Sequence, residues 1–168
     1  EFRATPQWRK ISPLGKVPVM VDTANDLLMY ESCAMVQYLL DRYGNGQLQP
    51  QAGTPEQAIY QQWNWFAEST FARPLGEVVN HSREFPGEKN IPAVVAEMLN
   101  RGEQCAIAVG DAIGDNSFIL GDDFSAADIN LGYTIMLAEH FLPNGLPEHL
   151  KAYWERLSAR PAFIKATS

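Results

Sequence analysis

Two short stretches combine residue types and spacings that could do chemistry. The first is Lys16-Val17-Pro18, at the head of an alternation that sets Val17, Val19 and Val21 on one face of a strand. Proline has no N–H to give to a sheet, so Pro18 confines this strand to an edge or a bend. The second is Glu31-Ser32, just ahead of "CAMVQYLLDRY", in which Met35, Tyr38, Leu39 and Arg42 recur at helical spacing. A helix N-terminus offers unpaired N–H groups and the positive end of the dipole to an anion. Equally, Ser32 can be a plain N-cap and Glu31 a favourable first-turn acid. Cys33 invites the role of nucleophile, but no histidine is close in sequence and an apolar segment surrounds it, so a packed core thiol is the expectation. Trp63, Phe66 and Phe71, with Tyr60 and Trp65, could line a pocket for an apolar compound, although aromatic stripes of this kind usually belong to a core. His81, His140 and His149 show no metal-ligand spacing, and neither a GxSxG nor a phosphate-loop pattern is present.

The elements that must position these residues fall into two segments of different character. In the first, a strand at about 17–21 and a strand "LLMY" flank the turn "DTAND", and a helix follows from Ser32 to Tyr43 with Gly44 at its stop. Two antiparallel strands and one helix cannot bury both faces of a sheet, so this segment reads as part of a larger domain. The seam is "GNGQLQPQAGTP", residues 44–55, rich in Gly, Gln and Pro. We place one domain at 1–46, a linker at 47–54 and a second domain at 55–168.

The second segment reads as all helical. Thr54, Pro55 and Gln57 fit the N-cap, first position and return partner of a capping box, opening a helix that is expected to run toward Pro74. A loop is expected over "NHSREFPGEKN", then a helix whose Val94, Val95, Met98, Leu99, Cys105, Ala106, Val109 and Ile113 form one buried stripe. "FSAADINLGYTIMLAEHF" opens with Ser125 as N-cap and Asp128 at the third helical position, and its lack of a polar face places it at the centre of the bundle. A last helix, about Leu146 to Ala159, is expected to end before Pro161.

Composition narrows the function classes. A chain of 168 residues, 46% hydrophobic and 20% charged, is an ordinary globular composition, and no apolar run reaches the roughly 20 residues of a membrane span. The formal net charge of -7 argues against a nucleic-acid surface, since Arg9, Lys10 and Lys16 are the nearest thing to a basic cluster. Residues 1–11 are polar and basic around Trp8, unlike a secretory leader, and two distant cysteines read as free thiols of a reducing cytoplasm.

Together "SPLGKVPVMVD", "LMYESCAMVQYLLDRYG" and "FILGDDFSAADI" resemble the cytosolic glutathione S-transferases, of bacterial or theta-like type, over nearly the whole chain from Thr5 to Phe163. The resemblance implies an α/β thioredoxin-like N-terminal domain, present here as its second half of two strands and a helix, followed by an all-α C-terminal bundle. It also implies glutathione as co-substrate and no metal. In that family the Val-Pro bond is cis, which would leave the main-chain N–H and C=O of Val17 free to take an extended peptide as one more strand. Ser32 would then meet the α-carboxylate of the γ-glutamyl end and Glu31 its ammonium. Lys16 would meet the glycyl carboxylate, as in some classes, or stand as a solvated surface lysine. Ser125 and Asp128 match the family's folding motif and are assigned to stability, not catalysis.

The family's chemistry depends on a Tyr, Ser or Cys near the first strand that activates the glutathione thiol. The match leaves out the first strand, first helix and second strand, so the catalytic residue is unknown and expected in a segment ahead of this sequence. The leading expectation is therefore conjugation of the glutathione thiolate to a small hydrophobic electrophile by a cytoplasmic homodimer that engages neither nucleic acid nor membrane. Alternatives of the same fold are a glutathione-dependent disulfide or peroxide reductase, a dehalogenase, and a non-catalytic binding or scaffold module.

Overall fold

The computed structural model describes residues 4–168, so the first three residues of the polar 1–11 stretch lie outside the described residues. The chain divides into two compact units, Glu1–Gln47 and Leu48–Ser168.

The first unit opens with a helix that composition alone did not reveal. Thr5 caps α1 (Pro6–Ile11) by accepting the Trp8 N–H at 3.2 Å, and Pro6 occupies the first turn, where a missing donor costs nothing. The hairpin follows, with β1 (Val19–Asp22) antiparallel to β2 (Leu27–Tyr30) and Val19 opposite Tyr30. β1 begins two residues later than the alternation predicts, because Pro18 interrupts the ladder. Asp22 ends β1 and its Oδ1 accepts the Ala24 N–H at 2.9 Å, the side-chain-closed turn expected of "DTAND". α2 (Ser32–Tyr43) buries Met35 and ends at Gly44.

The second unit is helical throughout. Thr54 caps α3 (Pro55–Trp65) through the Gln57 N–H at 3.3 Å, while Gln57 Oε1 reaches back to the Gly53 N–H at 2.7 Å, one residue earlier than a capping box requires. The helix does not stop at Pro74. A π-helical stretch, Phe66–Ala72, leads directly into α4 (Arg73–Glu84), with Pro74 in the first turn of α4. The wider turn makes room for the proline ring and its missing donor, so residues 80–84 of the expected loop are helix instead. Only a short 3₁₀ turn, Gly87–Lys89, separates α4 from α5 (Pro92–Ile113).

The stripe on α5 is buried only in its C-terminal half, at Ala106, Val109 and Ile113, whereas Val94 is exposed. Gly102 and Gly110 are buried there too, because a Cβ on Gly102 would lie 2.9 Å from Leu75 Cδ2 and one on Gly110 would enter the His149 ring. α6 (Ala126–Phe141) buries Leu131, Thr134, Ile135 and Ala138, but Ile129 and Tyr133, one turn apart, are exposed. Its near-continuous apolar sequence therefore conceals one open stripe. Tyr60, Phe71, Leu75, Leu150 and Tyr153 complete the core. α7 (Glu148–Ser158) ends before Pro161, as the sequence implies, yet that proline opens a further helix, α8 (Pro161–Thr167). Among the described residues no helix is long and apolar enough to cross a membrane.

Candidate functional site

The β1–β2 register decides what can meet in the first unit. Val19 pairs with Tyr30, so the residues just outside the ladder, Val17-Pro18 on one strand and Glu31-Ser32 on the other, emerge at the same end of the hairpin. Residues fourteen positions apart in sequence thus border one surface. The Val17–Pro18 peptide is cis, and both residues are exposed outside β1.

Glu31 carries the strained backbone of this end, with φ at 82° and ψ at 101°. A non-glycine residue adopts that region only when its surroundings impose it, and such residues cluster at functional sites. Glu31, not Ser32, is the N-cap of α2: its C=O accepts the Met35 N–H at 3.0 Å, while its carboxylate makes no capping bond. Ser32 is consequently the first helical residue, exposed, with its N–H among the donors that the helix leaves unpaired. No acid stands in that first turn to compete with an incoming anion.

Lys16 reaches the same end from the loop after α1, and among the described residues its exposed ammonium meets no carboxylate. Its main chain is held from within. Ser12, buried at 2% exposure, donates its Oγ–H to the Lys16 C=O at 2.8 Å and accepts the Lys16 N–H at 3.0 Å. The sequence reading passed over Ser12, although a serine ahead of "PLG" is a recognisable turn signal.

A second cluster, also passed over, fixes α2. Asp22 Oδ2 accepts from the Tyr38 hydroxyl at 2.6 Å, the Tyr43 hydroxyl at 2.5 Å and Asn25 Nδ2 at 2.8 Å. The Tyr38 bond, then those from Tyr43 and Asn25, hold the Asp22 carboxyl well below the usual carboxylate range. In return the bond to Asp22 pushes the Tyr38 hydroxyl up to about 12, and Tyr43 moves in the same direction. The cluster ties the turn of the hairpin to the last two turns of α2, and so fixes where the other end of that helix points.

In the second unit the aromatic series separates. Phe71 is fully buried and belongs to the core, which removes it from any surface open to a co-substrate. Trp63 and Phe66 are half-buried and meet edge to face at 5.2 Å, with Phe66 leaning on Phe71 at 6.3 Å. Ser125 and Asp128 form both halves of a capping box at the start of α6. Asp128 does more than cap, because its Oδ1 also accepts the Ile119 N–H at 2.9 Å and the Tyr153 hydroxyl at 2.7 Å. Burial, reinforced by that carboxylate, raises the Tyr153 hydroxyl well above its ordinary value.

The remaining candidates do not converge. Cys33 is half-buried in the first turn of α2, and burial raises the Cys105 thiol, which lies 3.8 Å from the Thr70 C=O. His81 Nε2 accepts the Ile91 N–H at 3.0 Å, and His149 faces Asp111 at 3.6 Å. Among the described residues no three potential ligands gather for a metal.

Residues 1–50 match the family model for the glutathione S-transferase N-terminal domain. A glutathione S-transferase of Arabidopsis thaliana is 28% identical over 170 residues, spanning 96% of this chain and 76% of the relative. Among solved structures, a glutathione transferase of Phanerochaete chrysosporium with oxidized glutathione superposes with a TM-score of 0.83 at 24% identity, over 97% of this chain and 75% of that one, and speaks for the fold. The theta class glutathione S-transferase of Xanthomonas axonopodis pv. citri, with glutathione bound, is 31% identical, with a TM-score of 0.78 over 97% of this chain and 77% of that one. With two strands and a helix followed by a helical bundle, and with a relative 31% identical over 97% of this chain and 77% of its own, the chain belongs to the glutathione S-transferase family.

Proposed function

We propose that the protein binds glutathione at the Val17–Ser32 end of the hairpin and transfers its thiolate to a small hydrophobic electrophile. What supports this reading is that the exposed Lys16-Val17 pair, outside the ladder, and the exposed Glu31-Ser32 pair, at the start of α2, lie at one end of the hairpin. Glutathione offers the complement in one extended molecule: a main chain for Val17, an α-carboxylate for Ser32, an α-ammonium for Glu31 and a glycyl carboxylate for Lys16. The helix dipole contributes about 0.3–1 kcal/mol, so charge-assisted hydrogen bonds supply most of the orientation. In the reaction the sulfur forms a bond to the electrophilic carbon and the leaving group departs with its electron pair. The half-buried Trp63 and Phe66 are the proposed apolar contacts for that co-substrate, and Ser125 with Asp128 serves the fold alone. The same reading makes the enzyme theta-like, cytoplasmic and homodimeric, with domains at 1–46 and 55–168.

Calorimetric titration with glutathione tests the site. The expected Kd is millimolar or tighter, and Ser32→Ala should weaken it about tenfold, by losing one hydrogen bond to a charged group, with an unchanged far-ultraviolet dichroism spectrum. An affinity within about twofold of the original would remove Ser32 from the anion site. An aryl halide and an organic peroxide, each supplied with glutathione, separate conjugation from reduction. Binding without turnover of either would leave a binding module in place of the transferase.

A further inference from the structure

We propose that Ser12 is the positioning residue of the glutathione site, holding Lys16 and Val17 where the tripeptide needs them; the inference rests on the binding reading above. A hydroxyl can donate one hydrogen bond and accept others, and Ser12 Oγ uses both capacities on a single residue, Lys16. The two bonds, at 2.8 and 3.0 Å, close a five-residue loop around a side chain that is 2% exposed. Three further contacts hold the same loop. The Ser12 N–H caps α1 at the Trp8 C=O, 2.8 Å away; the Gly15 N–H returns to the Ser12 C=O at 2.8 Å; and Arg9 Nη1 donates to the Pro13 C=O at 3.0 Å. Gly15 takes φ 68°, a conformation that glycine adopts without steric cost, and this turns the chain back toward the serine.

The position of this lock is what gives it a function. Lys16 and Val17 are exposed and lie outside the β1–β2 ladder, so no sheet pairing fixes them. A ligand bound by such residues must order them on arrival, unless the protein has ordered them already. Ser12 supplies that order from the interior side, with the Lys16 main chain as the element it grips. Lys16 and Val17 themselves stay exposed. A purely structural serine would serve the loop without affecting which part of a ligand is recognised; a positioning serine would matter most for the part that meets Lys16.

The test compares glutathione with γ-glutamylcysteine, which lacks the glycyl residue and its carboxylate, by calorimetric titration of the full chain. The unaltered protein should prefer glutathione. Ser12→Ala should weaken glutathione about tenfold, the effect of the lost bonds to Lys16, and should shrink the preference over the dipeptide, with near-unchanged secondary structure. Ser12→Thr, which keeps the hydroxyl, and Ser12→Asn, whose amide both donates and accepts, are the rescue variants; recovery of affinity and preference in at least one is expected. The proposal is overturned if Ser12→Ala keeps both within about twofold, or if it weakens both ligands equally, since that is the signature of loop damage with no tie to Lys16. Failure of the unaltered protein to bind either ligand would sink the glutathione reading itself, and the positioning role with it.

Discussion

Two carboxylates organise the two units, and they do so under opposite conditions. Asp22 in the first unit and Asp128 in the second each accept four hydrogen bonds: Asp22 from one backbone N–H, one neighbouring side chain and two tyrosine hydroxyls, Asp128 from two backbone N–H groups, one neighbouring side chain and one tyrosine hydroxyl, every tyrosine lying more than a dozen residues away. Asp128 is 1% exposed, with Tyr153 fully buried beside it. Asp22 is half-buried, with the Tyr43 side chain in solvent. The number of partners is therefore a poor guide to what each cluster contributes. Water can replace any partner that Asp22 loses, whereas nothing replaces those of Asp128.

The largest effect expected from this contrast is that of Asp128→Ala. It strands the Ile119 N–H, the Ser125 N–H and the Tyr153 hydroxyl in the interior at once, each costing about 1–3 kcal/mol when buried without a partner. Denaturant unfolding should show a loss of about 3 kcal/mol or more, while the glutathione affinity of the protein that still folds stays unchanged. A loss below about 1 kcal/mol would mean that water reaches the site and that the two clusters are alike after all.

Tyr153→Phe is the finer probe, removing one hydroxyl and keeping the ring. The expected cost is about 1–2 kcal/mol, because Asp128 keeps its three other donors. Spectrophotometric titration of the unaltered protein should find, beyond the raised Tyr38 and Tyr43, one further tyrosine that resists ionisation, absent in the variant. An unaltered count of resistant tyrosines would place the hydroxyl in contact with solvent.

The same contrast explains how much could be read from the sequence. The capping box at Ser125 was legible because a cap is local: its partners lie three residues apart and its chemistry depends on nothing else. Tyr153, 25 residues beyond Asp128, was not, since only the packing of α7 against α6 brings it there. The hairpin was legible from its alternation and from Asp22 in the turn, but the closure of Tyr38 and Tyr43 onto Asp22 depends on where α2 docks. Pro74 misled because a proline ends an α-helix far more often than it follows a π-helical turn. Glu31 and Ser32 could be chosen as a pair from their place before a helix, yet the exchange of roles between them, with Glu31 as the cap, is visible only in backbone angles. Ser12 lay in a stretch whose turn was plain, while the partner of its hydroxyl was not.

The smallest expected effect belongs to pH, and it concerns the cluster of the first unit. The folded-state value of Asp22 is depressed, so its contribution is present above the ordinary carboxylate range and is lost as pH falls through and below that range. Tyr38 is raised from 10.0 to about 12, so its contribution is complete below pH 10 and is lost between those two values. The first unit should therefore keep the docking of α2 through mild acid and begin to lose it in alkali, modestly, because the groups are only partly shielded from solvent. Backbone amide signals of residues 34–43, followed by nuclear magnetic resonance, would report this. Tyr38→Phe should abolish the Tyr38 part of the alkaline change and leave the acid limb reduced but present, since Tyr43 and Asn25 still bond to Asp22. If the alkaline change instead persisted in full in that variant and vanished in Tyr43→Phe, the outer hydroxyl would be the one that anchors the helix, and the order of strength within the cluster would be reversed.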